Sequence, residues 1–376
     1  DPANAAVTLL DQDGKAILPD ENGVYSLVSG DGYSYTYRVM CNGYITKEGT
    51  LNSQKLSGDT LILDISLSKV SSGGNVTPVD PVTGDWTSFR GNGDNNGVTH
   101  AKTPHSEDES TSWAVSTGLL TPPLLVDGKL YIQTGRTVKT VNPKNGDIIK
   151  TSEQLAGTSQ FATNPLAYGE NMIFVLLDDN DNARVQALDA TTLESLWISE
   201  TLQGQNISPI TYHNGYLYTG TWNAETKEGT YYCLSVTDED STRTDEVKKT
   251  IWTINHAGGF YWVGAYATDD YVIFGSDNGK SGYTETGSTL YSVNPTNGRI
   301  IDTMTSADGL IGDLRSAIVH SGDYVFFTSK AGYLYRVNVD SDGNLSNLQS
   351  FKTDGMCTGS PTVYGDVVFV TCSGED

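Results

Sequence analysis

"SPITYHNGYLYTG", residues 208–220, is written as a β-hairpin. Apolar and polar side chains alternate on both sides of Asn214-Gly215, and those two residues accept the positive φ that a two-residue turn between right-twisted strands demands. The same pattern returns at residues 122–132 (PPLLVDGKLYI), 164–175 (NPLAYGENMIFV), 264–276 (GAYATDDYVIFGS), 316–329 (SAIVHSGDYVFFTS) and 360–371 (SPTVYGDVVFVT). With Pro123, Pro165, Pro209, Ala265, Ala317 and Pro361 as equivalent positions, the spacings are 42, 44, 56, 52 and 44 residues. That period is the length of one four-stranded propeller blade.

A second repeat completes the blade. "VKTVNPKNGDII" (138–149) and "LYSVNPTNGRII" (290–301) are near copies, and each reads as a third strand, its turn and the start of a fourth. Other third strands fall on VQALDA, YYCLSV and LYRVNV, and fourth strands on LESLWIS and KKTIWTI. The expectation is therefore an all-β propeller over residues 86–376, with about six blades and the last one incomplete. "STSWAVST" (110–117) reads as a fourth strand lacking its first three, so it would close the ring beside the last hairpin. The third strand of that composite blade comes either from residues 86–109 or from chain beyond Asp376. Residues 1–69 alternate without the blade pattern and predict a small Ig-like β-sandwich, joined by a Ser, Gly and Pro-containing linker over 70–85.

Bulk properties narrow the function. Forty-six acidic residues against 23 Lys plus Arg give a formal net charge of -23, which repels nucleic acid and anionic membranes. No apolar run is long enough to span a bilayer. Cys41, Cys233, Cys357 and Cys372 lack the spacing of a zinc cluster. Pairing through the last hairpin's turn sets Cys372 opposite Gly359, so a bond between Cys357 and Cys372 needs a register shift or bulge. The chain opens on "DPANAAV", as an exported protein trimmed of its signal would.

At this point the residues resemble a family. "GDWTSFRGNGDNNGVTHAKTP" followed by TSWAVSTG and by blades carrying VNPKNGDII or LDATTLESLW is similar to the PQQ-like repeat propellers, which include quinoprotein alcohol dehydrogenases and BamB-like proteins. The resemblance covers about residues 85–376. The first domain resembles carboxypeptidase-regulatory or PEGA-like modules. The enzymes of this family hold PQQ beneath a disulfide of adjacent cysteines, with calcium on Glu, Asn and Asp. No two cysteines are adjacent here and no haem-attachment motif occurs. No cofactor is therefore expected, with PQQ and calcium kept as the alternative.

Propeller geometry places the strand 2–3 and strand 4–1 loops on one face, and the long loops of this chain all belong to that set. Within them, "GGFYWVG" carries an aromatic run outside strand alternation. Phe260 reads as a core plug, while Tyr261 and Trp262 stand evenly between core and ligand contact. Phe161, Trp222, Tyr283 and Arg315 lie on the same predicted face. Arg315, beside Asp313, either grips a ligand or closes a surface ion pair, and the ion pair is the expected reading. Asp340, Asp342 and Asn344 have calcium-loop spacing, but no Glu completes the set and an ordinary turn is expected. No nucleophile elbow, HExxH or phosphate loop is present. The sequence thus reads as a non-catalytic, extracytoplasmic, monomeric binding or scaffold protein with a protein or glycan ligand. A quinoprotein oxidoreductase is the alternative.

Overall fold

The computed structural model describes residues 6–12, 16, 17, 19, 24–28, 34–40, 47–52, 65, 85–99, 113, 114, 121–158, 165–178 and 182–374. The chain divides into two compact units, Asp1–Asp80 and Pro81–Asp376. In the first, Ala16–Ile17, Ala6–Leu10, Ser34–Met40 and Lys47–Asn52 pair in that order as an antiparallel sheet. Among its described side chains, Leu9, Tyr35 and Val39 are buried. The rest of the expected β-sandwich, and the linker before Asp85, lie outside the described residues.

The second unit is an all-β propeller. Blade one is Leu124–Val126, Lys129–Thr134, Thr137–Val141 and Ile148–Thr151; blade two is Ala167–Gly169, Met172–Asp178, Asn182–Asp189 and Ser195–Ser199. Blade three is Thr211–His213, Tyr216–Gly220, Glu228–Ser235 and Thr250–Ala257; blade four is Tyr266–Ala267, Val272–Gly275, Leu290–Val293 and Ile300–Met304. Blade five is Val319–Ser321, Tyr324–Ser329, Tyr333–Val339 and Leu345–Lys352, and blade six is the hairpin Thr362–Tyr364 with Val367–Phe369. The apolar clusters lie between blades rather than within them, joining one to two, two to three, three to four, four to five and five to six. A sheet has two faces, and large side chains from consecutive sheets fill each gap; Tyr231 of blade three stacks on Phe274 of blade four with centroids 3.8 Å apart.

The repeated VNP phrase acquires a physical reason. Asn294 closes a tight turn by accepting from Thr296 N and Asn297 N on Oδ1, and its carbonyl accepts from Gly298 N at 3.0 Å. That turn exposes the Pro295 carbonyl, which takes the Trp252 indole N–H of blade three's fourth strand at 2.7 Å. In blade one the Trp113 indole donates to the Pro143 carbonyl at 2.8 Å. Each VNP turn is thus a socket for a tryptophan, Trp252 of blade three's fourth strand at one and Trp113 at the other. Trp113 occupies the place expected for the fourth strand that precedes blade one.

Four features bear on the sequence reading. The described part of residues 86–109 is not a third strand: it threads along the inner strands as a hub. Trp86 and Leu125 exchange two backbone hydrogen bonds, Tyr168 N donates to the Thr87 carbonyl, and Asn95 Nδ2 donates to the carbonyls of Ala265 and Ile318. Arg90 reaches the Pro361 carbonyl and the Thr362 hydroxyl, so this one segment ties blades one, two, four, five and six together. Second, Glu246–Lys248 pairs in parallel with the outer strand of blade two before Thr250–Ala257 completes blade three. Third, Cys357 and Cys372 are bonded. Thr362 opposes Phe369, which would set Cys372 against Gly359, yet the bridge between Met356 and Ser373 shows that the register has slipped by two residues and faces the cysteines. Fourth, the Asp340–Asn344 stretch is a turn like the VNP sockets: Asp340 Oδ1 accepts from Asp342 N and Asn344 N, and Oδ2 from Asn344 Nδ2. The oxygens of Asp340 are committed to N–H donors, as an ordinary turn requires.

Candidate functional site

The loops of blades three, four and five converge where GGFYWVG leaves blade three. Gly258 and Gly259 take φ of 86° and 69°, and a Cβ at either would strike neighbouring backbone, so only glycine turns the chain here. The turn drives Phe260 inward, fully buried against Tyr231 and Phe274 at centroid distances of 5.1 and 5.7 Å. It is the core plug expected. Ser208 Oγ then ties the loop down, donating to the Phe260 carbonyl at 2.8 Å.

Tyr261 and Trp262 turn the other way. Trp262 has φ 59°, a left-handed conformation that costs a bulky residue about 1–3 kcal/mol and persists only where its surroundings enforce it. Tyr261 packs edge-on to Trp222 at 5.3 Å and to Trp262 at 4.7 Å. Arg315 lies over Tyr261, its guanidinium carbon 4.3 Å from the ring centroid, and 5.5 Å from that of Tyr283. Five of the six face residues singled out in the sequence therefore form one continuous cluster; Phe161 lies outside the described residues. The indole N–H groups of Trp222 and Trp262 are buried and have no hydrogen-bond partner among the described residues.

Arg315 does not close a surface ion pair, because it is only 3% exposed. Its Nε donates to both oxygens of Asp277 at 3.1 and 3.0 Å, and its Nη2 meets Glu225 at 2.6 Å, Asp313 at 3.1 Å and Asp277. Sequence distance hid Asp277 and Glu225 from the reading; Asp313, two residues away, was the visible part. Burial holds the Asp277 carboxyl well above the usual range, against the pull of Arg315. Burial also pushes Asp313 up to about 6, partly offset by the hydrogen bond from Asn278 N and by Arg315. For Arg315 itself, burial lowers the pKa but Asp277, Asp313 and Glu225 outweigh it and the net shift is upward.

Glu225, Asp277 and Asp313 can bring carboxylate oxygens within 4.8 Å of one another, a spacing that suits a metal ion. The donor set does not fit the calcium of a quinoprotein, because the Arg315 guanidinium already sits among all three carboxylates and supplies the cation they need. Asp277 and Asp313 are fully buried and do not line the adjoining cleft, so they brace Arg315 rather than offer a proton to a ligand.

That cleft has a volume of about 1010 Å³ and runs from Trp262, Arg315 and Lys330 to the hub residues Phe89 and Arg90 and the hairpin of blade six. Its size is at the upper end of small-ligand sites. Lys330 stands over Tyr283 with Nζ 3.5 Å from the ring centroid. Thr358, Ser360, Thr362 and Thr371 also line the cleft, with Ser360 Oγ accepting from Ala317 N and Thr362 Oγ1 from Arg90.

No family model matches the chain, and no curated protein matches it. Among solved structures the chain is similar to BamB from Moraxella catarrhalis, with 16% identity over 69% of this chain and 70% of that one and a TM-score of 0.42. The propeller assignment rests on the strand pairing and inter-blade packing described above.

Proposed function

We propose that this chain is a non-catalytic, extracytoplasmic binding protein whose ligand docks on the loop face formed by Trp222, Tyr261, Trp262, Tyr283 and Arg315. The observation that carries the reading is the left-handed Trp262, packed edge-on to Tyr261 and lining the cleft beside Arg315 and Lys330. Strain of that kind is stored where a side chain must be presented. Concave walls of aromatic rings and hydroxyls suit a glycan, whose ring faces stack while its hydroxyls exchange hydrogen bonds. A protein segment is the other occupant of such a face. The Cys357–Cys372 disulfide supports an oxidising compartment. Among the described residues no carboxylate lines the cleft, which supports binding over acid-base catalysis, and this reading requires neither PQQ nor calcium.

The test is the thermal unfolding midpoint across a panel of oligosaccharides. A ligand at about 100 times its Kd stabilises by about 2.7 kcal/mol, which moves the midpoint by several degrees. Trp262→Ala should abolish any shift while the apo protein stays folded. A shift that survives W262A unchanged would place the ligand elsewhere and overturn the reading.

A further inference from the structure

The large cleft inverts the charge of the protein that contains it. The chain carries twice as many acidic as basic residues, yet among the described residues the cleft lining includes Arg90, Arg315 and Lys330 and no Asp or Glu. Arg315 is neutralised from behind by its three carboxylates. Among the described residues Arg90 and Lys330 make no ion pair within 4 Å, although Lys330 feels Asp313, Glu225 and Asp277 at longer range. Arg90 uses its Nε and one terminal nitrogen on neutral oxygens, those of Asn95, Asn96, Pro361 and Thr362, and its other terminal nitrogen has no hydrogen bond among the described residues. Lys330 is held on the face of Tyr283, an arrangement that fixes the ammonium without cancelling its charge. Two fixed cations without a direct ion-pair partner among the described residues, beside an aromatic side chain and several Ser and Thr residues, form a recognition site for an anion carried on a hydroxylated ring.

We infer that the cleft takes an acidic saccharide, one whose sugar units bear a carboxylate. The carboxylate meets Lys330 and the free end of Arg90, the sugar face meets Trp262, and the ring hydroxyls meet Thr358, Ser360 and Thr371. This inference rests on the binding reading above and names its ligand class. The surrounding negative surface adds specificity, because an anion is repelled everywhere except at this cleft.

The experiment is calorimetric titration of the full chain with trigalacturonate and with the neutral galactose trimer, at low and at physiological salt. The acidic trimer should bind at least about tenfold more tightly than the neutral one, and its advantage should shrink as salt rises. Lys330→Gln should cost about tenfold for the acidic trimer and leave the neutral one unchanged, while Lys330→Arg should retain most of the affinity. Equal binding of both trimers, with W262A removing both, would overturn the acidic preference and leave the aromatic binding face standing. Binding of neither trimer, or displacement of trigalacturonate by hexaglutamate or by PQQ at lower concentration than trigalacturonate itself requires, would overturn the saccharide assignment.

Discussion

Gly298→Ala tests whether the VNP turn is a tryptophan socket. Gly298 has φ +68°, and a Cβ there would lie 2.7 Å from Cδ2 and 2.8 Å from Cγ of Trp252. Two costs follow. Placing an L-residue at that φ costs about 1–2 kcal/mol wherever it occurs. The rigid indole must then retreat, straining a packed site by about 1–3 kcal/mol and loosening the buried bond to the Pro295 carbonyl, worth a further 1–3 kcal/mol or so. Gly322 supplies the control, because its φ is +62° and nothing lies within 4 Å of its Cβ position. Gly322→Ala therefore pays the backbone cost alone. The two variants should differ by at least about 2 kcal/mol, or roughly 0.7 M in urea midpoint if m is near 3 kcal/mol/M. Gly146→Ala in blade one should behave like G298A, since its Cβ would meet Trp113 at 2.6 Å. In a Trp252→Leu background most of the difference should vanish. Coincident midpoints for G298A and G322A in the otherwise native chain would refute the socket.

The remaining predictions concern the ion cluster and the last blade. Asp313 binds its proton more tightly folded, at about 6, than unfolded, at 3.8, so its charge opposes folding once the pH exceeds the unfolded value. Relative to Asp313→Asn, the native chain should lose up to about 3 kcal/mol between pH 4 and pH 7, and parallel stability curves for the two would refute this. Arg315→Met leaves Asp277, Asp313 and Glu225 without their guanidinium and should cost about 3–5 kcal/mol at pH 8, less at pH 5, read by urea midpoints. Cys372→Ser, or reduction, opens a loop with a sequence separation of 15 and should cost about 3 kcal/mol, with faster proteolysis between Met356 and Ser373 as the local readout.

What was legible in the sequence was local. Hairpins announce themselves through alternation around Asp, Asn and Gly, and all six stand where the repeats put them. What was hidden was pairing at a distance. Glu246–Lys248 pairs in parallel with blade two because Lys248, 2% exposed, lies over Trp197 and donates to the Thr237 carbonyl; no periodicity encodes that. The hub was equally silent, for the bonds of Arg90 and Asn95 run to inner strands far along the chain. The aromatic face was legible because glycines flank it, whereas the partners of Arg315 lie 38 and 90 residues away.

Between these extremes lies a signal that is present in the sequence but readable only with the geometry. Blade two's turn is built like the VNP sockets: Asp189 N donates to the Glu194 carbonyl, Leu193 N to that of Asp189, and the Ala190 carbonyl stands where Pro143 and Pro295 do. Yet Leu193, at φ 57°, fills the place that Gly146 and Gly298 hold in the other two. The preceding strand, Ile148–Thr151, has no tryptophan, and the Ala190 carbonyl is instead met by the Tyr131 hydroxyl at 3.0 Å. With no indole lying across the turn, a buried leucine can occupy it and offset its backbone strain by the burial of its side chain. Glycine at this position is therefore set by what docks on the turn rather than by the turn itself. A glycine there in one blade and the tryptophan that docks on its turn form a single long-range contact, written twice.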